Sequence, residues 1–235
     1  MKITTWNMQG SGATDEVKWQ TGVINTLQSD DVNLRADMMC LQECGPFPAS
    51  SKEVKQIKFR APDASENIVR IFSLGGTSSR PFGSIVFHQW DTKGGRVNTA
   101  LAYKGEAPED AAVKLVWPAT GANWRPSLGV KSAAGWVFSF HAISPKGPDA
   151  AEMLKAIVSA AGSDPWVVGA DWNQEPGEIK AIPANCVVCV PNAPTYPTKA
   201  PVSRYDFLVR SGATKVEGKV TSLVCSDHRP VAYTI

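Results

Sequence analysis

The chain has 235 residues, 43% hydrophobic and 20% charged, which suits one sizeable globular domain taken as residues 1–235. A formal net charge of +2 excludes a protein that holds nucleic acid by bulk electrostatics alone, though not an enzyme that grips a phosphate through a few placed arginines. No apolar run approaches the ~20 residues a spanning helix needs, so no transmembrane segment is expected.

The N-terminus goes straight into strand-like sequence without a charged-then-apolar leader. That fits a secreted chain whose leader is removed, or a cytosolic one. Strand-like runs fall at 3–6, 38–42, 68–74, 84–90, 99–103, 113–116 and 127–131, then at 136–141, 166–170, 186–190, 205–209, 219–224 and 230–234. Helix 15–28 sets Val17, Gln20, Ile24 and Leu27 on one face, with Val23 beside them. Helix 149–162 follows the i, i+3, i+4 template through Ala150, Met153, Leu154, Ile157, Val158 and Ala161. Asp149 charges its N-terminal end and Gly162 stops it. Residues 105–110 and 191–201 read as loops. Many short strands with two or three helices predict an α/β (α+β) fold, sheet packed on sheet and clad with helices.

Five cysteines (Cys40, Cys44, Cys186, Cys189 and Cys225) include one C-x-x-C pair. Cys186 and Cys189 sit in a strand-like run, where residues three apart point to opposite faces, so the pair suits neither redox exchange nor a shared metal. His88, with no acidic neighbour in its run, reads as structural or surface.

The chemistry-bearing residues cluster at the ends of apolar runs. Residues 3–6 end at Asn7, 38–42 at Glu43, 136–140 at His141, and 166–170 at Asp171 followed by Asn173. Asp206 stands in the run at 205–209, and Ser226-Asp227-His228 precedes the last strand. Adjacent strands can present such residues on one rim. Singly, each is an ordinary turn residue or cap. Together they supply hard oxygen donors suited to a Mg²⁺-type ion and two histidines suited to acid/base work near neutral pH.

In order, Thr5-Trp6-Asn7-Met8-Gln9-Gly10-Ser11, Leu41-Gln42-Glu43, Phe140-His141, Gly169-Ala170-Asp171-Trp172-Asn173 and Ser226-Asp227-His228-Arg229-Pro230 resemble the DNase I-like endonuclease/exonuclease/phosphatase superfamily. Lys18-Trp19, Gly94-Gly95-Arg96-Val97-Asn98 and Arg125-Pro126-Ser127-Leu128-Gly129 are similar to blocks of the catalytic B subunits of cytolethal distending toxins. The resemblance implies a four-layer α/β/β/α sandwich and a nuclease that nicks or cleaves DNA, with phosphoinositide phosphatase activity on the same site as the alternative enzyme. A non-catalytic binding module on the same fold is the remaining alternative. It also implies toxin delivery or binding subunits as partners and action in a target-cell nucleus.

By the same resemblance Asn7, Glu43 and Asp227 hold Mg²⁺, with Mn²⁺ or Ca²⁺ as substitutes. Asp171 orients or deprotonates the attacking water, Asn173 donates to a phosphate oxygen, and Asp206 orients His228. His228 and His141 transfer protons and stabilise charge. Arg96, Asn98 and Arg125 are implied phosphate or DNA contacts. One departure stands out. Residues 80–85 offer no acid to partner His141, so its imidazolium is expected to be poorly stabilised.

Overall fold

The computed structural model describes residues 1–10, 15–32, 34–75, 81–92, 95–119 and 124–235; Ser11, Arg80 and Gly94 of the segments above lie outside them. The first six strands are β1 (Lys2–Asn7), β2 (Met38–Gln42), β3 (Lys52–Arg60), β4 (Glu66–Leu74), β5 (Gly83–His88) and β6 (Thr99–Lys104). Six more follow: β7 (Val113–Val116), β8 (Ser127–Ser132), β9 (Gly135–His141), β10 (Trp166–Asp171), β11 (Cys186–Cys189) and β12 (Asp206–Ser211). Two short strands, β13 (Lys219–Val220) and β14 (Val231–Thr234), end the chain.

They form two sheets. The larger has the order β13-β14-β1-β2-β6-β5-β4-β3 and the smaller β11-β12-β10-β9-β8-β7. Among the named strands β1 with β2 and β9 with β10 pair in parallel, and the other ladders are antiparallel. Between the sheets lies a core of branched and sulfur-bearing side chains that includes Ile3, Cys40, Val69, Leu101, Leu128, Val137, Val167 and Leu208.

Each outer face is covered by one helix. A continuous helical segment, α1, runs through Asp15–Val17, Lys18–Ile24 and Asn25–Gln28. It lays Trp19, Val23 and Leu27 against Trp6, Met39, Leu41 and Phe72 of the large sheet. Helix α2 (Ala150–Ala161) buries Met153, Leu154 and Ile157 against Phe138, Phe140, Val168 and Ala170 of the small sheet. Each of those three helix side chains contributes about 2 kcal/mol by leaving water. The layers are α/β/β/α, as the resemblance implies.

Three details differ from the sequence reading. The buried face of α1 is Trp19, Val23, Ile24 and Leu27, so Val23, Ile24 and Leu27 lie as expected, while Val17 is 57% exposed and Gln20 is only partly buried. The middle of α1 is wound as a π-helix, which shifts the face away from a 3.6-residue period. Strand β3 was not anticipated, because its sequence Lys-Glu-Val-Lys-Gln-Ile-Lys-Phe-Arg is mostly charged. It is the outer edge of the large sheet, where lysines discourage pairing with another chain. The run at 219–224 pairs only over Lys219–Val220. Thr221 then bonds Pro230 O, and Leu223 turns onto the Trp6–Trp19 cluster. His88 is fully buried and hydrogen-bonded to Asn67, so it is structural rather than a surface residue.

Cys186 and Cys189 do face opposite sides of β11, one toward α2 and the other into the inter-sheet core. All five cysteines are unbridged.

Candidate active site

Strand direction assembles the rim. Because β1 runs parallel to β2, and β9 to β10, the residues Asn7, Glu43, His141 and Asp171 all stand at C-terminal strand ends on one edge of the sandwich. β12 and β14 run the opposite way, so their beginnings reach that edge. Asp206 is the register partner of Asp171, and His228 lies just ahead of Val231, the partner of Thr5. A cavity of about 530 Å³ opens there, lined by Asn7, Glu43, Arg96, Arg125, His141, Asp171, Asn173, Asp227 and His228. Asp206 stands behind His228, fully buried.

Asp171 is the hub. One of its oxygens, Oδ1, accepts the Asn173 backbone N–H at 2.9 Å, and Oδ2 accepts the Asn7 amide at 2.8 Å, a bond that crosses from the small sheet to the large one. His141 Nε2 and His228 Nε2 lie 3.6 and 3.8 Å from the same Oδ2. Burial raises the Asp171 carboxyl to about 7 against the pull of the His228 charge, which suits a base near neutral pH.

The two histidines are held in opposite states. Burial would neutralise His228, but Asp206, whose Oδ2 lies 2.8 Å from Nδ1, together with Asp171 and Asp227 outweighs it and lifts the imidazolium to about 10. The Tyr196 ring leans on His228 at 4.6 Å. Burial, reinforced by the Arg125 charge, pushes His141 well below the usual range. Arg125 Nη1 donates to His141 Nδ1 at 2.5 Å, so the ring hydrogen sits on Nε2, toward Glu43 and Asp171. The acid missing before β5 is thus answered by a guanidinium.

That contact changes the reading of Arg125, expected as a phosphate ligand: its side chain holds His141 Nδ1 and Ala142 O. Asn98 is likewise turned inward. It donates to Gly45 O and Gly95 O, accepts from Asp91 N, and so ties the segment after Glu43 to the β5–β6 loop instead of lining the cavity. Asn173 uses one amide hydrogen on Ala142 O and leaves the other toward the cavity it lines.

Glu43 leaves its strand with φ of +44°, a conformation uncommon for a residue with a β-carbon. Gly10 permits this. Its N–H donates to Glu43 O at 2.6 Å, and any side chain there would overlap Glu43 O and Gly45 N. Lys18, buried in α1, donates to Met8 O and Gln9 O and holds the segment after β1. Gln9 Oε1 in turn accepts the Asp227 backbone N–H. Sequence reasoning singled out neither Lys18 nor Gln9 as a positioning residue, because each acts through backbone groups of remote segments.

The oxygen donors Asn7, Glu43 and Asp227 have the chemistry of a divalent-cation site. The Arg96 guanidinium already stands there: Nε donates to Glu43 Oε2 at 2.7 Å and is attracted to Asp227. Asp171, Asp206 and His228 also bring ligand atoms within 4.8 Å of one another. The nitrogen of that trio facing Asp206 is occupied by the 2.8 Å contact, and the group is better suited to moving or holding a proton.

The sequence matches the Endonuclease/Exonuclease/phosphatase family over residues 4–228. It is 26% identical to the B subunit of the cytolethal distending toxin of Escherichia coli, across 98% of this chain and 90% of the relative. A homolog of that B subunit from Salmonella typhi is 27% identical, across 99% and 88%. The fold is similar to that in the crystal structure of the Haemophilus ducreyi cytolethal distending toxin, with a TM-score of 0.82 at 24% identity over 99% of this chain and 97% of that one. A 3′-5′ exonuclease from Neisseria meningitidis has the same fold at a TM-score of 0.66 and 13% identity, over 100% and 99%. With that family match running from the first strand to His228, the chain belongs to the Endonuclease/Exonuclease/phosphatase family, hydrolases of phosphate esters.

Proposed function

We propose that the chain is a divalent-metal-dependent phosphodiesterase that nicks or cleaves DNA, the genotoxic component of a toxin of the distending kind. One observation carries the reading. His141 Nε2 and His228 Nε2 converge on a single Asp171 oxygen at 3.6 and 3.8 Å, with Glu43 Oε1 3.7 Å from His141. These separations exceed hydrogen-bond length, and the groups face one cavity in which phosphoryl oxygens can meet them together.

Asn7, Glu43 and Asp227 would hold the cation, Mg²⁺ by the hardness of the donors, with Mn²⁺ or Ca²⁺ able to substitute. When bound, it supplies neutralisation of phosphate charge. Asp171 takes the proton of the attacking water as the water oxygen bonds to phosphorus and the bond to the leaving ester oxygen breaks. That oxygen keeps the bonding pair and takes a proton from charged His228. Asn7 and the Asn173 backbone fix the lone pairs of Asp171 for that task. His228, kept charged and oriented by Asp206, faces the charge building on the phosphoryl oxygens. Neutral His141 donates a hydrogen bond from Nε2 to the same group. Arg96 swings from Glu43 to a phosphate oxygen, a bidentate contact for which its fork is suited. DNA as substrate, delivery subunits as partners, secretion and action in a target-cell nucleus belong to the same proposal. Among the described residues no helix is long and apolar enough to cross a membrane.

The test is relaxation of supercoiled plasmid with Mg²⁺ and with EDTA. Metal-dependent nicking, lost in His141→Ala and His228→Ala, is the expected result. Phosphate release from a soluble inositol-lipid analogue without nicking would assign the site to a phosphatase.

A further inference from the structure

A second cavity, of about 560 Å³, opens at the N-terminal end of α2. It shares walls with the active site. Ser144 lines the active-site cavity and Lys146, on the same loop, lines the second; Asn173 faces the first and the next residue, Gln174, faces the second.

Three features of this cavity point to an anion. Gln174 is 6% exposed, lines the cavity, and its carboxamide has no hydrogen-bond partner among the described residues. The amide meets the cavity space and not another protein group, so its hydrogens are available to a ligand there. The twelve-residue helix α2 aims its N-terminus at the same space. Ala150 N–H is bonded to Gly147 O and Met153 N–H to Asp149 O, whereas the N–H groups of Ala151 and Glu152 carry no bond among the described residues. Lys146 and Lys180 line the rim and enter no ion pair among the described residues. Of the nearby acids, Glu178 lines the cavity and accepts from Glu175 N, Glu152 pairs with Lys155, and Asp149 at the helix start accepts from Ile143 N. Helix amides, a neutral amide donor and two free ammonium groups make a phosphate cradle.

We infer that this cavity is a second phosphate subsite, which holds a neighbouring phosphodiester of the strand whose scissile phosphate lies at Asp171. The inference rests on the nuclease reading above and names the part of the substrate that lies beyond the reacting group. It makes DNA, with phosphates in series, a better fit than a substrate carrying one phosphate.

The test compares wild type with Lys146→Ala/Lys180→Ala and with Gln174→Met, their folding checked by circular dichroism. Binding of a short duplex is followed by fluorescence anisotropy across a salt series in EDTA. Hydrolysis of bis(p-nitrophenyl) phosphate, which carries a single phosphate, is followed with Mg²⁺. The double lysine variant is expected to bind duplex about tenfold more weakly, with a log–log salt slope lower by about 1–2, while the small diester is hydrolysed at the wild-type rate. Gln174→Met is expected to weaken duplex binding a fewfold with an unchanged slope. Unchanged duplex affinity in both variants overturns the subsite, and so does an equal loss on both substrates. If inorganic phosphate shifts the Gln174 side-chain amide resonances while duplex affinity is unaffected by the substitutions, the cavity takes free anion and the inference fails. A wild type that neither binds duplex nor hydrolyses the diester brings down the nuclease reading as well, which the variant comparison alone cannot do.

Discussion

His228 Nδ1 lies 2.8 Å from Asp206 Oδ2, and this buried contact joins a residue of the loop before β14, in the large sheet, to the first residue of β12 in the small one. It fixes the ring so that the other nitrogen faces Asp171, and it keeps the imidazole charged where burial alone would strip its proton.

Asp206→Asn removes the charge and keeps the shape. Plasmid nicking is expected to fall on the order of a thousandfold, the range for losing a positioned acid/base group. The His228 imidazole, which Asp206, Asp171 and Asp227 lift to about 10, is expected to titrate at lower pH in the variant, read from its ring resonances. An unchanged titration would remove Asp206 from the catalytic relay.

Arg125→Ala separates two roles. As the hydrogen-bond donor to His141 Nδ1, Arg125 is needed to present Nε2–H, so turnover is expected to drop roughly 10–100-fold on DNA and on a small diester alike. The salt slope of duplex binding is expected to stay put. A slope lowered by about 1 would return Arg125 to direct phosphate contact.

Arg96→Gln tests the competition at Glu43. The Arg96 guanidinium and a metal ion both need Glu43, so its removal is expected to tighten Mg²⁺ binding severalfold in the absence of DNA, read by isothermal titration calorimetry. DNA affinity is expected to fall in the same variant. Weaker metal binding would mean that Arg96 supports the cation site rather than occupying it.

His88 supplies a pH signature remote from the rim. Burial lowers its pKa to about 4, against about 6.5 in the unfolded chain, so the unfolded state binds more protons between those values. The stability this contributes is complete above about 6.5 and is lost as pH falls toward about 4, by roughly 3 kcal/mol in all. Denaturant titrations of His88→Gln should therefore show a flatter dependence over that window than the wild type. Parallel curves would mean that His88 titrates normally in the folded chain.

Much of this arrangement can be read from the chain because parallel strands force like ends together: Asn7, Glu43, His141 and Asp171 each follow an apolar run, and their meeting needs only topology. The four layers are harder to reach, since periodicity says that a face is buried and not against what; the family resemblance supplied them. Contacts between remote side chains stayed hidden. Nothing local marks Arg125 as the partner of His141 or turns Asn98 inward. Gln42 reads as one polar residue in an apolar strand, yet it crosses the sandwich beneath the site to donate to Ser139 Oγ and Gly169 O. The winding of α1 and the charged edge strand β3 escaped for a simpler reason, because both depart from the period or polarity by which such elements are recognised.

The seam between the two sheets runs through the middle of the chemistry. Asn7, Glu43 and Asp227 belong to the large sheet and its connections, while His141, Asp171 and Asp206 belong to the small one. Neither half owns a complete set of reacting groups. Melting of either sheet, or sliding of one over the other, separates the would-be cation site from the proposed base. The proposed chemistry therefore depends on contacts that cross the seam, of which the Asn7 amide on Asp171 is one.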